Sequence, residues 1–418
     1  MRRVFITRLG VVSPLGNDLS SFVANMRAGK SGLGLLSLFN VAGFRSTSVG
    51  QAWHVNIADC KKKWPETVNE TDRKVFLGLM ALEQIFNRHQ GVEKPGVYLG
   101  TSLEAFLIEQ LLEYCPEKFN IKTFLKNYRH GHKEPAEQAL LQTPLDRLQF
   151  LMQKRYKLNG QFWTNCSACA ASTQAIGQAF WMVRSGRETK MLAGGFDSLL
   201  HPLGLGGFSI LGALAPASEN PKKACRPFNI DRRGTVLGEG AAIFLLESEE
   251  SLQSSKNEPI AELLGYGSSL DAYRVSDPHP EGKGAFLAMQ RALKDAKMQP
   301  EEVDAISAHG TGTLKNDVME TKAIKSLFGE LAAKIPVFSI KSMIGHLIGA
   351  SGAVEITGVI GALREGFLPP TISLDRVDPQ CDLDYVPNKS RPFTGRVVLK
   401  NSFGLGGQNA SLIIRTNI

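Results

Sequence analysis

An α/β fold with buried sheets is predicted by three features of the 418-residue sequence. Apolar runs of strand length recur from one end to the other, stretches of helical length separate them, and two of the runs, far apart, lead into similar small-residue segments. The strand-length runs are residues 4–12, 96–99, 191–193, 241–246, 260–264, 303–308, 335–340 and 396–400. Residues 249–258 are polar and lack apolar periodicity, so a division into residues 1–252 and 253–418 is expected there. Residues 6–16 and 263–269 are the two similar openings, and they suggest an internal duplication. A hydrophobic content of 43% with 21% charged residues is ordinary for a globular protein with a large interior.

The net charge of +8 is unevenly spread: residues 114–160 hold nine Lys or Arg against four Asp or Glu. A local basic surface suits an acidic partner, with a solvated helix face as the alternative. Ile121, Phe124, Leu125 and Tyr128 share one helical face there, and Lys122, Lys126, Arg129 and Lys133 surround it. Helical periodicity accounts for the interleaved aromatic residues, so nucleic-acid binding is not predicted.

The opening residues carry early charges but too short an apolar run for secretion, and a cytosolic protein is expected. Residues 198–218 form the longest uncharged stretch, but Pro202, Pro216, Gly204, Gly206, Gly207 and Gly212 interrupt it. Loops near a buried site are expected there, not a membrane span. The six cysteines (Cys60, Cys115, Cys166, Cys169, Cys225 and Cys381) in a chain this long do not describe a disulfide framework, and mostly reduced, buried thiols are expected.

Residues 162–169 read as a strand and a tight small-residue turn, and 170–183 as a helix with Ile176, Phe180 and Val183 on one face. A thiol at the first turn of a helix meets the positive end of the dipole and unpaired N–H groups, which favour its thiolate. Cys169 is therefore a candidate nucleophile. An inert buried thiol is the competing reading. The CxxC spacing of Cys166 and Cys169 also suits a redox pair or half a metal site, but no second CxxC or paired histidines with ligand spacing accompany it.

Two histidines follow strands: His309 in Ala308-His309-Gly310-Thr311-Gly312-Thr313, and His346 closing Lys341-Ser342-Met343-Ile344-Gly345-His346. Each is expected at the end of a buried strand, where open α/β sheets place their sites. A satisfied core histidine is the alternative for either one alone. Residues 401–409 hold Gly404, Gly406 and Gly407 between two C-terminal strands, which lets backbone N–H groups approach a ligand. The spacing is not that of a dinucleotide fingerprint.

Together these segments resemble the β-ketoacyl-acyl-carrier-protein synthases of the type II, elongating class, which are thiolase-like condensing enzymes. The resemblance covers residues 4–17, 169–177, 193–195, 202–208, 226–228, 234–247 and nearly all of 260–414. It implies a five-layered αβαβα thiolase-like fold of two similar halves, paired as a homodimer or with a homologous subunit. It implies decarboxylative Claisen condensation of an acyl group on Cys169 with a malonyl group, the substrates carried by acyl carrier protein and no cofactor or metal required. It assigns Cys169 as acyl acceptor, His309 and His346 as catalytic histidines, Lys341 with Glu355 as charged support, and the N–H groups of Cys169 and Phe403 as the oxyanion hole. Thr311 and Thr313 match positions that bind the phosphopantetheine arm, and Phe208 and Phe403 match positions that line or gate the pocket.

Arg8 stands where the family usually has glycine, and Leu103-Glu104-Ala105 replaces an isoleucine-glycine-glycine pattern near the acyl pocket. Residues 106–160 match poorly, and Phe162 and Trp163 are bulky where smaller residues are common, so Leu103 and Trp163 are expected to bear on acyl-chain length. The run from His309 to Asp317, with Glu320, is similar to ketosynthases of type II polyketide and aryl-polyene pathways. A noncatalytic partner subunit shares the fold but normally lacks the cysteine, and Cys169, His309, His346 and Lys341 argue against that reading.

Overall fold

The computed structural model describes residues 2–86, 95–103, 122, 144–255 and 257–417. Of the basic stretch 114–160, residues 114–121 and 123–143 lie outside the described residues, Cys115 among them, as do Glu104 and Ala105. The large sheet takes five strands from each half; those of the first are β1 (Val4–Val12), β2 (Gly96–Gly100), β3 (Phe162–Asn165), β4 (Lys190–Ser198) and β5 (Glu239–Ser248). Those of the second are β6 (Ala261–Leu270), β7 (Ala305–Ser307), β8 (Val337–Phe338), β9 (Val397–Gly404) and β10 (Gln408–Arg415).

Pairing repeats between the halves. In the first the order is β3-β2-β4-β5-β1, with β2 parallel to β3 and β4, and with β5 antiparallel to both β4 and β1. In the second it is β8-β7-β9-β10-β6 with the same directions. The suspected duplication is thus present as a repeated strand topology. The halves meet through a short antiparallel contact, Val4 to Leu263, Phe5 to Glu262 and Ile6 to Ala261, which makes one ten-stranded sheet.

Helices α1 (Arg73–Phe86), α2 (Ala171–Arg184), α3 (Lys283–Ala296), α4 (Leu314–Phe328) and α5 (Ser351–Arg364) complete the layers. One core packs Val75, Phe76 and Leu79 of α1 on Val97, Leu192 and Ile243. Another packs Met289 of α3 and Ile324 of α4 on Ile306, Leu399 and Ile413. Between them lies the largest core, where Ile176 and Phe180 of α2 and Val354 and Ile360 of α5 meet Val4, Phe244, Leu412 and Ile414 from both halves. Every residue of α5 from Ser351 to Leu363 is buried, as suits a largely apolar helix in a middle layer, and Glu355 is buried among them. Burying each large aliphatic or aromatic side chain there contributes about 1.5–3 kcal/mol.

A further repeat lies at the entry to the middle layer. A single 3-10 turn, Ala168–Ala170, leads into α2, and another, Ile348–Ala350, leads into α5. The first residue of each is left-handed, Ala168 at φ 49° and Ile348 at φ 45°. Cys169 is the second residue of one turn and Gly349 of the other.

Two local expectations change. Residues 249–258, read as a polar boundary, include the short helix Glu249–Ser255, in which Ser248 Oγ accepts the Ser251 N–H at 3.2 Å. The uncharged stretch 198–218, read as loops, includes the helix Pro202–Ile210, since His201 Nδ1 caps the Gly204 N–H and Pro202 occupies the first turn. No helix among the described residues is long and apolar enough to cross a membrane.

Candidate active site

Three chain segments distant in sequence bring Cys169, His309 and His346 together. Their thiol and ring nitrogen atoms lie within 4.8 Å of one another, and all three residues are buried. The imidazole rings stand edge to face, with centroids 5.3 Å apart, and Phe403 lies 5.8 Å from His309 in the same manner. A cavity of about 340 Å³ opens onto this group and is lined by Phe208, Thr311, Thr313 and Phe403 as well.

Cys169 occupies the 3-10 turn ahead of α2 and is 4% exposed. Burial pushes its thiol up to about 11, although the backbone amide of Leu405 and the Lys341 ammonium pull the other way. The position anticipated to favour a thiolate therefore holds a neutral thiol at rest, because desolvation outweighs the helix end. Gly404 presses on the same turn, since a Cβ there would sit 3.2 Å from the Cys169 amide nitrogen.

His309 stands two residues past the end of β7, as expected, and its loop is held by two buried acids of α4. Glu320 accepts the N–H groups of His309 and Gly310, each at 2.8 Å, and Asp317 accepts those of Thr311 at 3.1 Å and Gly312 at 3.2 Å. Thr311 and Thr313 share a hydroxyl contact of 2.8 Å. His346 does not sit at a strand end. It follows the helical turn Lys341–Ile344, and its backbone is fixed by a 2.7 Å bond to the Val236 carbonyl.

Lys341 is buried against Glu355, as the resemblance implies, and its Nζ stands 3.3 Å from His309 Nδ1. An ammonium only donates, so Nδ1 accepts and the proton of neutral His309 rests on Nε2. Ser351 Oγ lies 2.8 Å from His346 Nδ1, and a hydroxyl donating there selects the same tautomer. Burial first, then the charges of Lys341 and Lys400, drive both histidines well below their usual range, so they are neutral at physiological pH. Two neutral N–H donors facing a thiol can stabilise a developing oxyanion or enolate.

The same three residues form a set that could ligate a metal, and Cys166, which is exposed, is not among them. The CxxC spacing therefore does not build the set. Two ammonium groups, Lys341 and Lys400, are buried beside it, and their charge opposes a cation.

Two expected pocket residues lie elsewhere. Leu103 is 66% exposed where the chain leaves β2, with its carbonyl accepting from Lys74 Nζ at 2.6 Å. Trp163 is half-buried on β3, stacked on Tyr98 at 5.7 Å and packed towards the middle core. Neither lines the cavity. Conversely Asp317, Glu320, Ser351 and Lys400 support the site without having been singled out for it. The acids had a signal, spaced i, i+3 on the helix after the His309 loop.

Comparison with known proteins agrees with this geometry. Residues 151–251 match the family described as beta-ketoacyl synthase, N-terminal domain, and residues 260–375 match beta-ketoacyl synthase, C-terminal domain. A 3-oxoacyl-[acyl-carrier-protein] synthase 2 from Synechocystis sp. is 34% identical, covering 99% of this chain and 98% of the relative; one from Coxiella burnetii is 35% identical at the same coverage. Among solved structures, the ishigamide ketosynthase/chain length factor superposes with a TM-score of 0.86 at 31% identity over all of both chains. A type II PKS ketosynthase in complex with its acyl-carrier protein (AntDE:AntF) gives 0.83 at 30% identity over 99% of both. Agreement along the whole length reaches every segment that converges on the buried thiol, and the chain belongs to the beta-ketoacyl synthase family of thiolase-fold condensing enzymes.

Proposed function

We propose that Cys169 carries the acyl group and that His309 and His346 manage charge during its condensation with malonyl-acyl carrier protein. The observation that carries this reading is the convergence of the thiol and two neutral imidazoles at the end of one cavity. The Cys169 sulfur attacks the acyl thioester, its proton passes to the carrier's sulfur, and the carrier leaves as the free thiol. The N–H groups of Cys169 and Phe403 are the proposed donors to the tetrahedral oxyanion. Cleavage of the malonyl carboxylate then releases carbon dioxide and leaves an enolate whose oxygen is held by the two Nε2–H groups. Its carbon attacks the acyl carbonyl, and collapse of that adduct expels the Cys169 thiolate and frees the β-ketoacyl product. Removing one such donor typically costs about 10²–10³-fold in rate.

Lys341 and Glu355 position His309 from behind, and Thr311 and Thr313 on the cavity wall are placed to hydrogen-bond the phosphopantetheine arm. Phe208 and Phe403 flank the acyl path. The mouth carries exposed Val275 and Leu314 beside Arg233 and Lys315, the latter paired with Asp277 at 2.7 Å. No further cofactor enters, since the thioester activates the carbonyl and loss of carbon dioxide drives the step. The halves divide at 252/253, the chain pairs with itself or a homologous subunit, and the reaction is cytosolic. The product belongs to fatty-acid or polyketide-type synthesis.

Intact mass after incubation with a panel of acyl-acyl carrier protein thioesters, without malonyl donor, tests the reading. Wild type should gain one acyl group and Cys169→Ala none. Absence of acylation on wild type with every donor would favour the noncatalytic partner-subunit role.

A further inference from the structure

A second lysine is buried in this site. Lys400, on β9, is 0% exposed. Its Nζ lies 2.7 Å from Glu355 Oε2, an ion pair outside hydrogen-bond geometry, while Lys341 binds Oε1 of the same carboxylate. Lys400 Nζ also donates to the Asn401 carbonyl and, at 2.9 Å, to Ser402 Oγ. Ser402 Oγ is 2.8 Å from Thr173 Oγ1 on α2, the helix that follows Cys169. One ammonium thus bridges the support behind His309 and the helix behind the thiol.

We propose that Lys400 is a positioning residue of the condensing centre: it clamps Glu355 from the side opposite Lys341, and its charge keeps the site receptive to anionic intermediates. The inference rests on the condensing function proposed for the same site. The charged groups facing Lys400 are Glu355 on α5, Glu320 on α4 and Lys341. Glu320 accepts the backbone N–H groups of His309 and Gly310 and the side-chain amide of Asn401 and so serves as a carboxylate acceptor. With Lys400 protonated, two ammonium groups face two carboxylates. When it loses its proton one ammonium remains, the buried site gains negative charge, and enolate and oxyanion both become harder to form. Lys400 is also one of the charges that hold His309 and His346 neutral.

Burial brings the Lys400 ammonium down to about 8, against attraction from Glu355 that raises it. Below that value Lys400 is charged, and above it the clamp is lost. The test is the pH dependence of condensation for wild type, Lys400→Met and Lys400→Arg, using malonyl-acyl carrier protein and whichever acyl carrier thioester loads Cys169. Wild type should decline above about pH 8. Lys400→Met should be slower by about 10–100-fold, less than loss of a direct oxyanion donor costs, and lack that decline. Lys400→Arg should recover rate below pH 8 and also lack the decline, because a guanidinium does not deprotonate in this range.

Profiles that superimpose after scaling by one factor overturn the proposal while leaving the condensing function standing. Wild type that neither loads nor condenses overturns both. If neither variant folds, wild type decides alone: a rate flat through pH 8 counts against Lys400, and a fall centred near it counts in favour. Unfolding free energy supplies a readout without turnover. A lysine with a lower pKa folded than unfolded binds fewer protons when folded between about 8 and 10.5, so wild type should gain stability on Lys400→Met across that window. A constant gap contradicts a buried ammonium.

Discussion

The Cys169 thiol sits between a helix start and the Leu405 amide, which favour its ionised form, and a buried surrounding that favours the neutral one. With the balance at about 11, only a small thiolate fraction exists near neutrality. Alkylation of Cys169 by iodoacetamide, followed by peptide mass, should be slow at pH 7 and rise about tenfold per pH unit towards that value. A plateau below pH 8 would mean that the dipole prevails. The three converging residues were legible in the sequence because each lies within its own local motif. Lys400 was not, since it reads as the end of an apolar strand, and its partner Glu355 lies on another element, in the chain before it. Asp317 likewise gains meaning from Phe228 and Arg232, which it meets only across the fold, the former at 2.8 Å and the latter at 3.5 Å.

Strands were legible from apolar runs, and their limits were less so. The run at 191–193 stops at glycine, yet β4 continues to Ser198. Gly195 belongs to the strand because α2 passes close behind it: a Cβ there would sit 2.5 Å from Ser172 Cβ and 2.9 Å from the carbonyls of Gly100 and Gly349. Two of those three contacts are backbone and have little room to yield. Gly195→Ala should therefore lower stability by about 1–3 kcal/mol, the range for overpacking a tight core. Urea unfolding at a constant slope would report it, and an unmoved midpoint would contradict the packing account. Leu103 and Trp163 do not line the cavity at Cys169, and the segment that follows Leu103, residues 104–121, lies outside the described residues.

Over the whole molecule, the repeated topology leaves one strand of each half at a sheet edge, β3 and β8. β3 is four residues long, all half-buried, with no strand on its outer side among the described residues. An unpaired edge of that kind invites a second chain. Native mass spectrometry should give two chains of 45.6 kDa, and a monomer at micromolar concentration would count against self-pairing. The five-layered architecture was legible through resemblance, whereas the equivalence of the halves needed the strand order, because their sequences share little beyond small-residue openings.

The two left-handed turns into the middle layer give that equivalence a chemical outcome. At the second residue of the first turn stands Cys169; at the second residue of the other stands Gly349, whose N–H is held by Asp197 at 2.7 Å. A Cβ at Gly349 would come within 2.5 Å of the Thr101 backbone. Division of labour has thus been written into twin positions: one must bear a side chain for the proposed chemistry to occur, and the other must bear none for the neighbouring half to close around it.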